Sequence, residues 1–254
     1  MIAENKMFTN LKNRIEAEAA ESKEKARFYI EVGYYPTWAE ENQKPGDNGI
    51  KRYCTAARWD AYQAGRISRE KIVELTIKRM EKQQNKETAK KLKKLKEAAA
   101  APDMESVSIS VEWKRSSTWG HNPTATVTVY AGGQWTQYTG TASGCGYDKR
   151  SAAVGAALNQ SASIKKMLYT AKENALASME PEKAEAAKRG YVFGSESNRD
   201  FIHYGAGYGV LPYFEGGVGI SSFKGVFETC GYKCTVDNGT KYTDFYYFEK
   251  GETV

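Results

Sequence analysis

Four lysines recur at i, i+4, i+8 and i+11: Lys82, Lys86, Lys90 and Lys93, with Lys94 beside the last. At helical periodicity this spacing places them along one face as a basic ridge. Cations in such a row can neutralise successive phosphates of a nucleic-acid backbone and release their counterions. The same row also suits a solvated helix face, because charge runs commonly keep a helix in water. The segment from Lys82 to Lys96 contains seven lysines and one acid, Glu87, a local charge of +6. That equals the net charge of the whole chain, in which 37 Lys and Arg face 31 Asp and Glu. The rest of the chain sums to neutrality, so this is a neutral body with one basic arm.

A second cationic stretch interleaves with indoles: Trp113, Lys114, Arg115, Ser116, Ser117, Thr118, Trp119. Lys114 and Arg115 can hold phosphates while Trp119 stacks on a base, a contact worth about 1–3 kcal/mol. Burial of both tryptophans in a core accounts for the same residues. Among the four cysteines, Cys230 and Cys234 are separated by three residues, and Cys54 and Cys145 lie far off. With only two histidines, His121 and His203, no metal-ligand set is expected, and small apolar packing explains the thiols. The string Tyr204 to Gly209 does not join a strand to a helix in the manner of a dinucleotide fingerprint. Gly216, Gly217 and Gly219 do precede a helix, whose first N–H groups could cradle a phosphate; a tightly turned loop explains them equally. Asp200 and His203 are neighbours, but no nucleophile–base–orienter set can be assembled around them. No catalytic residue, metal or cofactor is expected.

These residues need elements to carry them. Residues 1–35 read as a helix, with Leu11, Ile15 and Ala19 spaced by four. Pro36, Pro45 and Gly46 to Gly49 interrupt it, and a second helix runs from Lys51 to about Gln63, before Gly65. Ser68 caps a long helix that nothing stops before Pro102, about 34 residues or roughly 50 Å. Apolar and polar residues then alternate from Val107 to Val111, from Ala125 to Tyr130 and from Trp135 to Thr141, with Gly132–Gly133 as a turn. They predict a three-stranded antiparallel meander. A helix with small residues follows from Lys149, continuing past Ile164 and Met167 to around Met179, and a short one spans Pro181 to Lys188. Ser221 caps another helix, Ser222 to Cys230. The end reads as a hairpin, Tyr232 to Val236 and Lys241 to Glu249, turning at Asp237–Asn238–Gly239–Thr240.

At 254 residues, 41% hydrophobic and 27% charged, the chain can bury a core and is not of disordered composition. It has no apolar run long enough to span a membrane, and its first residues lack the pattern of a signal peptide. Four cysteines make no disulfide framework, so a reducing cytoplasm is the expected location.

The stretch Gly140 to Ser143, followed by Asp148-Lys149-Arg150-Ser151-Ala152-Ala153 and Ala156-Ala157-Leu158, resembles the third strand and second helix of a double-stranded RNA-binding domain. The resemblance covers residues ~85–168 and implies a helix–strand–strand–strand–helix order. It also implies that Lys149 and Arg150, at the start of the second helix, meet phosphates across a groove; Gly120-His121-Asn122-Pro123 is similar, in permuted order, to the family's first inter-strand loop, which often carries a histidine beside Gly and Pro. Two features depart from that family. The preceding helix lacks its Glu and Gln pattern, and Asp148 stands where it prefers a base.

Over residues ~60–220 the chain is also similar to uncharacterised accessory proteins of bacterial phages and conjugative elements. The stretches that carry this are Tyr62 to Ser68, Ile109 to Arg115, Trp119 to Val127, Ser143 to Lys149 and Leu211 to Gly219. Such elements devote many small non-catalytic proteins to blocking host nucleases.

The expectation is an α+β protein in three parts: a helical region 1–101 with a long basic helix, a β-β-β-α domain 102–180, and a Gly/Tyr-rich α+β region 181–254. Its expected role is non-catalytic binding of nucleic acid or a nucleoprotein, as an accessory protein of a mobile element and an inhibitor of a guided host nuclease such as a CRISPR effector. The expected contact residues are Lys82, Lys86, Lys90, Lys93, Lys94, Lys114, Arg115, Trp119, His121, Lys149 and Arg150. Two alternatives stay open: a protein–protein module whose basic helix docks on an acidic partner, and an enzyme holding a phosphorylated ligand in its glycine-rich C-terminal part. Neither the partner, RNA versus DNA, nor oligomeric state is readable from the chain.

Overall fold

The computed structural model describes residues 2–34, 46–112, 122–144, 147–181, 184, 191–193, 202–204, 220–239 and 243–251. The helices are α1 (Ile2–Val32), α2 (Asn48–Tyr53), α3 (Ala56–Gln63), α4 (Arg69–Ala100), α5 (Tyr147–Leu158), α6 (Ala162–Ala177) and α7 (Ile220–Thr229). The strands are β1 (Met104–Glu112), β2 (Thr124–Ala131), β3 (Gln134–Thr141), β4 (Tyr191–Phe193), β5 (Ile202–Tyr204), β6 (Tyr232–Gly239) and β7 (Thr243–Lys250). The protein is α+β and forms two compact units, 1–96 and 97–254. Among the described residues no helix is long and apolar enough to cross a membrane.

The first unit is built on two long antiparallel helices. Gln84 Nε2 of α4 donates to Ser22 Oγ of α1 at 3.4 Å, whereas Arg69 at the start of α4 reaches the Glu31 carbonyl at the end of α1, at 2.9 Å. As α1 numbers rise, α4 numbers fall. Ala26 and Ile30 of α1, Ile50 and Cys54 around α2, and Ile72 and Met80 of α4 form the core at the closed end. Gly49 permits this closure: a Cβ there would lie 1.8 Å from the Tyr29 carbonyl oxygen. Arg69 also donates to Asp47 Oδ1 at 3.1 Å, and Tyr62 donates to Asp47 Oδ2 at 2.8 Å, so the loop before α2 is tied to α3 and α4. Ser68 Oγ accepts from the Lys71 N–H at 3.3 Å, the cap expected for α4. The expected single helix 51–63 is two, because Thr55 leaves helical geometry and caps α3 by accepting from the Arg58 N–H at 3.4 Å.

In the second unit five strands make one antiparallel sheet, ordered β3-β2-β1-β7-β6. The meander β1–β2–β3 and the C-terminal hairpin β6–β7 are therefore a single layer, not parts of separate 102–180 and 181–254 regions. Val107, Ile109 and Val111 pair with Val129, Val127 and Ala125 on one side and with Phe248, Tyr246 and Asp244 on the other. One face of this alternation is the core. Ala153, Val154, Ala157 and Leu158 of α5, Ile164 and Met167 of α6, and Phe227 of α7 pack on it. Phe227 stacks on Phe248 with ring centroids 4.5 Å apart. β4 and β5 form a separate two-stranded sheet.

Three boundaries differ from expectation. The helix from Lys149 does not run on to Met179. It ends at Leu158, and Ser161 restarts it as α6 by accepting from the Ile164 N–H at 3.3 Å. Asp237, Asn238 and Gly239 stay paired with Tyr246, Phe245 and Asp244, so the hairpin does not turn at Asp237. α7 begins at Ile220, so Ser221 lies inside it. Most of the expected helix 181–188 falls outside the described residues.

Gly140 of β3 lies directly beneath α5, where a Cβ would stand 2.1 Å from the Ala153 carbonyl oxygen and 2.6 Å from the Ala157 nitrogen. Both are backbone atoms, which cannot rotate aside. Gly140→Ala is expected to destabilise the protein by about 1–3 kcal/mol or more, read as a lower urea midpoint. An unchanged midpoint would show that α5 does not seat this closely on β3.

Candidate nucleic-acid interface

The charge asymmetry seen in the sequence sharpens once the units are known. Unit 1–96 has 22 Lys and Arg against 14 Asp and Glu, whereas unit 97–254 has 15 against 17. The positive surplus belongs to the helical unit. Within it, α1 balances its charges locally through i, i+4 pairs such as Arg27–Glu31 at 3.0 Å. The first half of α4 does likewise: Glu74 accepts from Lys78 at 2.6 Å and Lys71 at 2.9 Å. These bonds hold the Glu74 carboxyl at about 2, far below the usual carboxylate range.

Past Glu81 this compensation thins out. Lys82, Lys86, Lys90, Lys93 and Lys94 are all exposed. Among the described residues, Lys82, Lys86, Lys90 and Lys94 form no ion pair. At about 100° per residue these five lysines span an arc of roughly 120°. The buried Leu95 and the half-buried Gln84, Thr88 and Leu92 mark the other side of the helix. From Lys82 to Lys94 the ridge is about 18 Å long, rising about 6 Å per i, i+4 step. α4 contains no aromatic residue, so it offers cations to a backbone without a ring on which a base could stack.

Lys149 and Arg150 lie in the first turn of α5, and both are half-buried. Arg150 is committed to the fold: its Nη1 sits 3.6 Å from Asp244 Oδ2 of β7, with both side chains about four-fifths covered. Burial pushes the Asp244 carboxyl up, and Arg150 opposes that shift. The backbone of Lys149 is at the helix start, and its side-chain carbons pass 3.5 Å from where a Cβ on Gly144 would be. Lys114, Arg115, Trp119 and His121 lie outside the described residues.

Burial raises the Cys230 thiol to about 12 and also raises Cys54 and Cys234, all three reduced. Tyr246, likewise raised to about 12 chiefly by burial, is a packing phenol beside Phe248. Among the described residues no three His, Cys, Asp or Glu side chains are grouped to hold a metal ion.

Sequence reasoning missed the Arg150–Asp244 pair, since the two residues are 94 positions apart and meet only when β7 joins β1. Because the folded Asp244 pKa is raised, the native state holds its proton longer than the unfolded chain, and stability falls as pH rises through the window above about 4. Removing Arg150 raises that carboxyl further. Arg150→Ala should therefore steepen the loss of stability as pH rises from about 4, measured by urea unfolding across pH. A pH profile parallel to wild type would show that the pair does not form.

Comparison of the chain with family models, with curated proteins and with solved structures finds no match.

Proposed function

We propose that this protein is a non-catalytic nucleic-acid binder that holds the phosphate backbone of a duplex along the lysine ridge of α4. The observation that carries the reading is the run of exposed lysines, four without an ion-pair partner among the described residues, on a helix that pairs its charges elsewhere. A purely solubilising surface needs no such segregation, and the paired first half of α4 shows the alternative. The absence of aromatic rings from α4 favours backbone contact over stacking on unpaired bases. The helix–strand–strand–strand–helix order of α4, β1, β2, β3 and α5 agrees with the resemblance to double-stranded RNA-binding domains. Phosphate contacts of this kind position a ligand without reading its sequence.

The similarity to accessory proteins of phages and conjugative elements extends the proposal to a nucleoprotein. A guided host nuclease presents a guide duplex whose phosphate surface is of the same kind. Arg150 has a weaker part in this reading than α4, because its guanidinium already serves Asp244.

The test is a gel-shift and fluorescence-anisotropy series with duplex RNA, duplex DNA and single strands over a range of salt. Four to five phosphate contacts predict a slope of log Kobs against log salt of roughly −4. Duplexes should bind more tightly than single strands, with little dependence on sequence. Lys86/Lys90/Lys94→Glu keeps helix propensity while reversing the ridge, and should abolish binding. Salt-independent binding, or retention of affinity in the triple variant, would overturn the proposal. Failure to bind any nucleic acid would instead favour an acidic protein partner for the same ridge.

A further inference from the structure

Among the described residues the strand β3 closes one side of the sheet, pairing with β2 and with no strand on its other edge. Edge strands normally carry a charge, a proline or a bulge that prevents pairing with another chain. β3 has none of these. Its eight residues, Gln-Trp-Thr-Gln-Tyr-Thr-Gly-Thr, include no charged side chain and no proline, and its register with β2 is uninterrupted.

The hydrogen-bonding direction of the edge can be worked out. The Thr139 carbonyl accepts from Gln160 Nε2 at 2.8 Å, so it points away from β2. Alternation along an antiparallel strand then turns the N–H and C=O of Trp135, Gln137 and Thr139 outward. The same alternation places their side chains on the sheet face opposite α5, alongside Tyr130, Thr128 and Thr126 of β2. Trp135 is 56% exposed there, lying against Tyr130 with centroids 4.7 Å apart. On the helix side of the edge, Ala156 of α5 is exposed next to Gly140, a small side chain that leaves the strand accessible.

We propose that β3 pairs antiparallel with β3 of a second copy of this chain, joining two five-stranded sheets into one of ten strands across a two-fold axis. The strand is self-complementary about Gln137. With Gln137 on the axis, Trp135 faces Thr139 of the copy and Thr139 faces Trp135. All three pairs are of the closely spaced kind in which both N–H and both C=O groups bond. An uncharged strand meets its own copy without like-charge repulsion, which a strand bearing lysines or glutamates could not do. Gln160 is the competitor: its amide occupies the Thr139 carbonyl that the Trp135 N–H of the copy requires.

This inference does not depend on nucleic-acid binding, and its test uses the full chain alone. Sedimentation-equilibrium mass is measured from about 1 to about 100 μM. It is expected to rise from that of one 28.3 kDa chain towards twofold. Gln137→Pro removes one outward N–H without touching the β2 ladder, and Gln137→Lys sets two ammonium groups together on the axis. Both should remain monomeric, with far-UV circular dichroism confirming the fold; the exposed lysine variant covers the case in which proline unfolds the strand. Gln160→Ala removes the competitor and should tighten the dimer severalfold. A wild type monomeric throughout, or a dimer indifferent to the Gln137 substitutions, would overturn the proposal.

Discussion

Strand β1 is the constraint on which the second unit depends. It is hydrogen-bonded on both edges, to β2 within the meander and to β7 from the far end of the chain. Its inward residues Val107, Ile109 and Val111 are almost wholly buried, and every helix of the core packs over the layer they begin. The β7 pairing is also what brings Phe248 under Phe227 and Asp244 under Arg150. Tyr232 adds a stitch at the start of the hairpin by donating to the Met104 carbonyl at 2.7 Å. Burial of that phenol raises its pKa, so it stays a neutral donor. Loss of the β1–β7 contact would leave a three-stranded meander with half of its floor missing.

The helical unit solves a different problem. Long helices of mostly polar residues gain little from propensity alone, and they need a buried face to persist. Here that face includes Ile30, Ile50 and Ile72, held by the Asp47–Arg69–Tyr62 bonds, and the buried Phe8 and Leu11 of α1 and Leu95 of α4. The second half of α4 keeps only a narrow buried face, Leu95 and Ala98, and its remaining face carries the lysines. A row of like charges raises the energy of a helix by self-repulsion, since like pairs at i, i+4 each cost a few tenths of a kcal/mol, roughly 0.2–0.5. In the proposed complex, bound phosphates would offset that cost. The basic surplus lies in this unit while the sheet unit is slightly acidic.

The long helix, the three strands of the meander and the lysine ridge were legible in the chain because each is a local pattern. Lys82 to Lys94 depends only on a 3.6-residue period, and Val107 to Val111 only on alternation. The breaks at Thr55 and Ser161 were also within reach, as hydroxyl residues that accept from the N–H three positions on, but the flanking helical residues concealed them. The role of Arg150 was not legible. A cation at a helix start reads as a phosphate contact until the carboxylate from another strand is seen beside it.

What the amino-acid sequence determined by itself was thus the long helix, the strands of the meander and of the C-terminal hairpin, the alternation that assigns a buried face to the meander strands, and the charge of α4. These follow from short-range backbone geometry and side-chain chemistry. The tertiary structure decided that the meander and the C-terminal hairpin share one sheet, that β1 is central and β3 is an edge, and that Arg150 answers Asp244. Strand neighbours are chosen by the joint burial of several elements distant in sequence, and a free edge exists only once the order of the whole sheet is set.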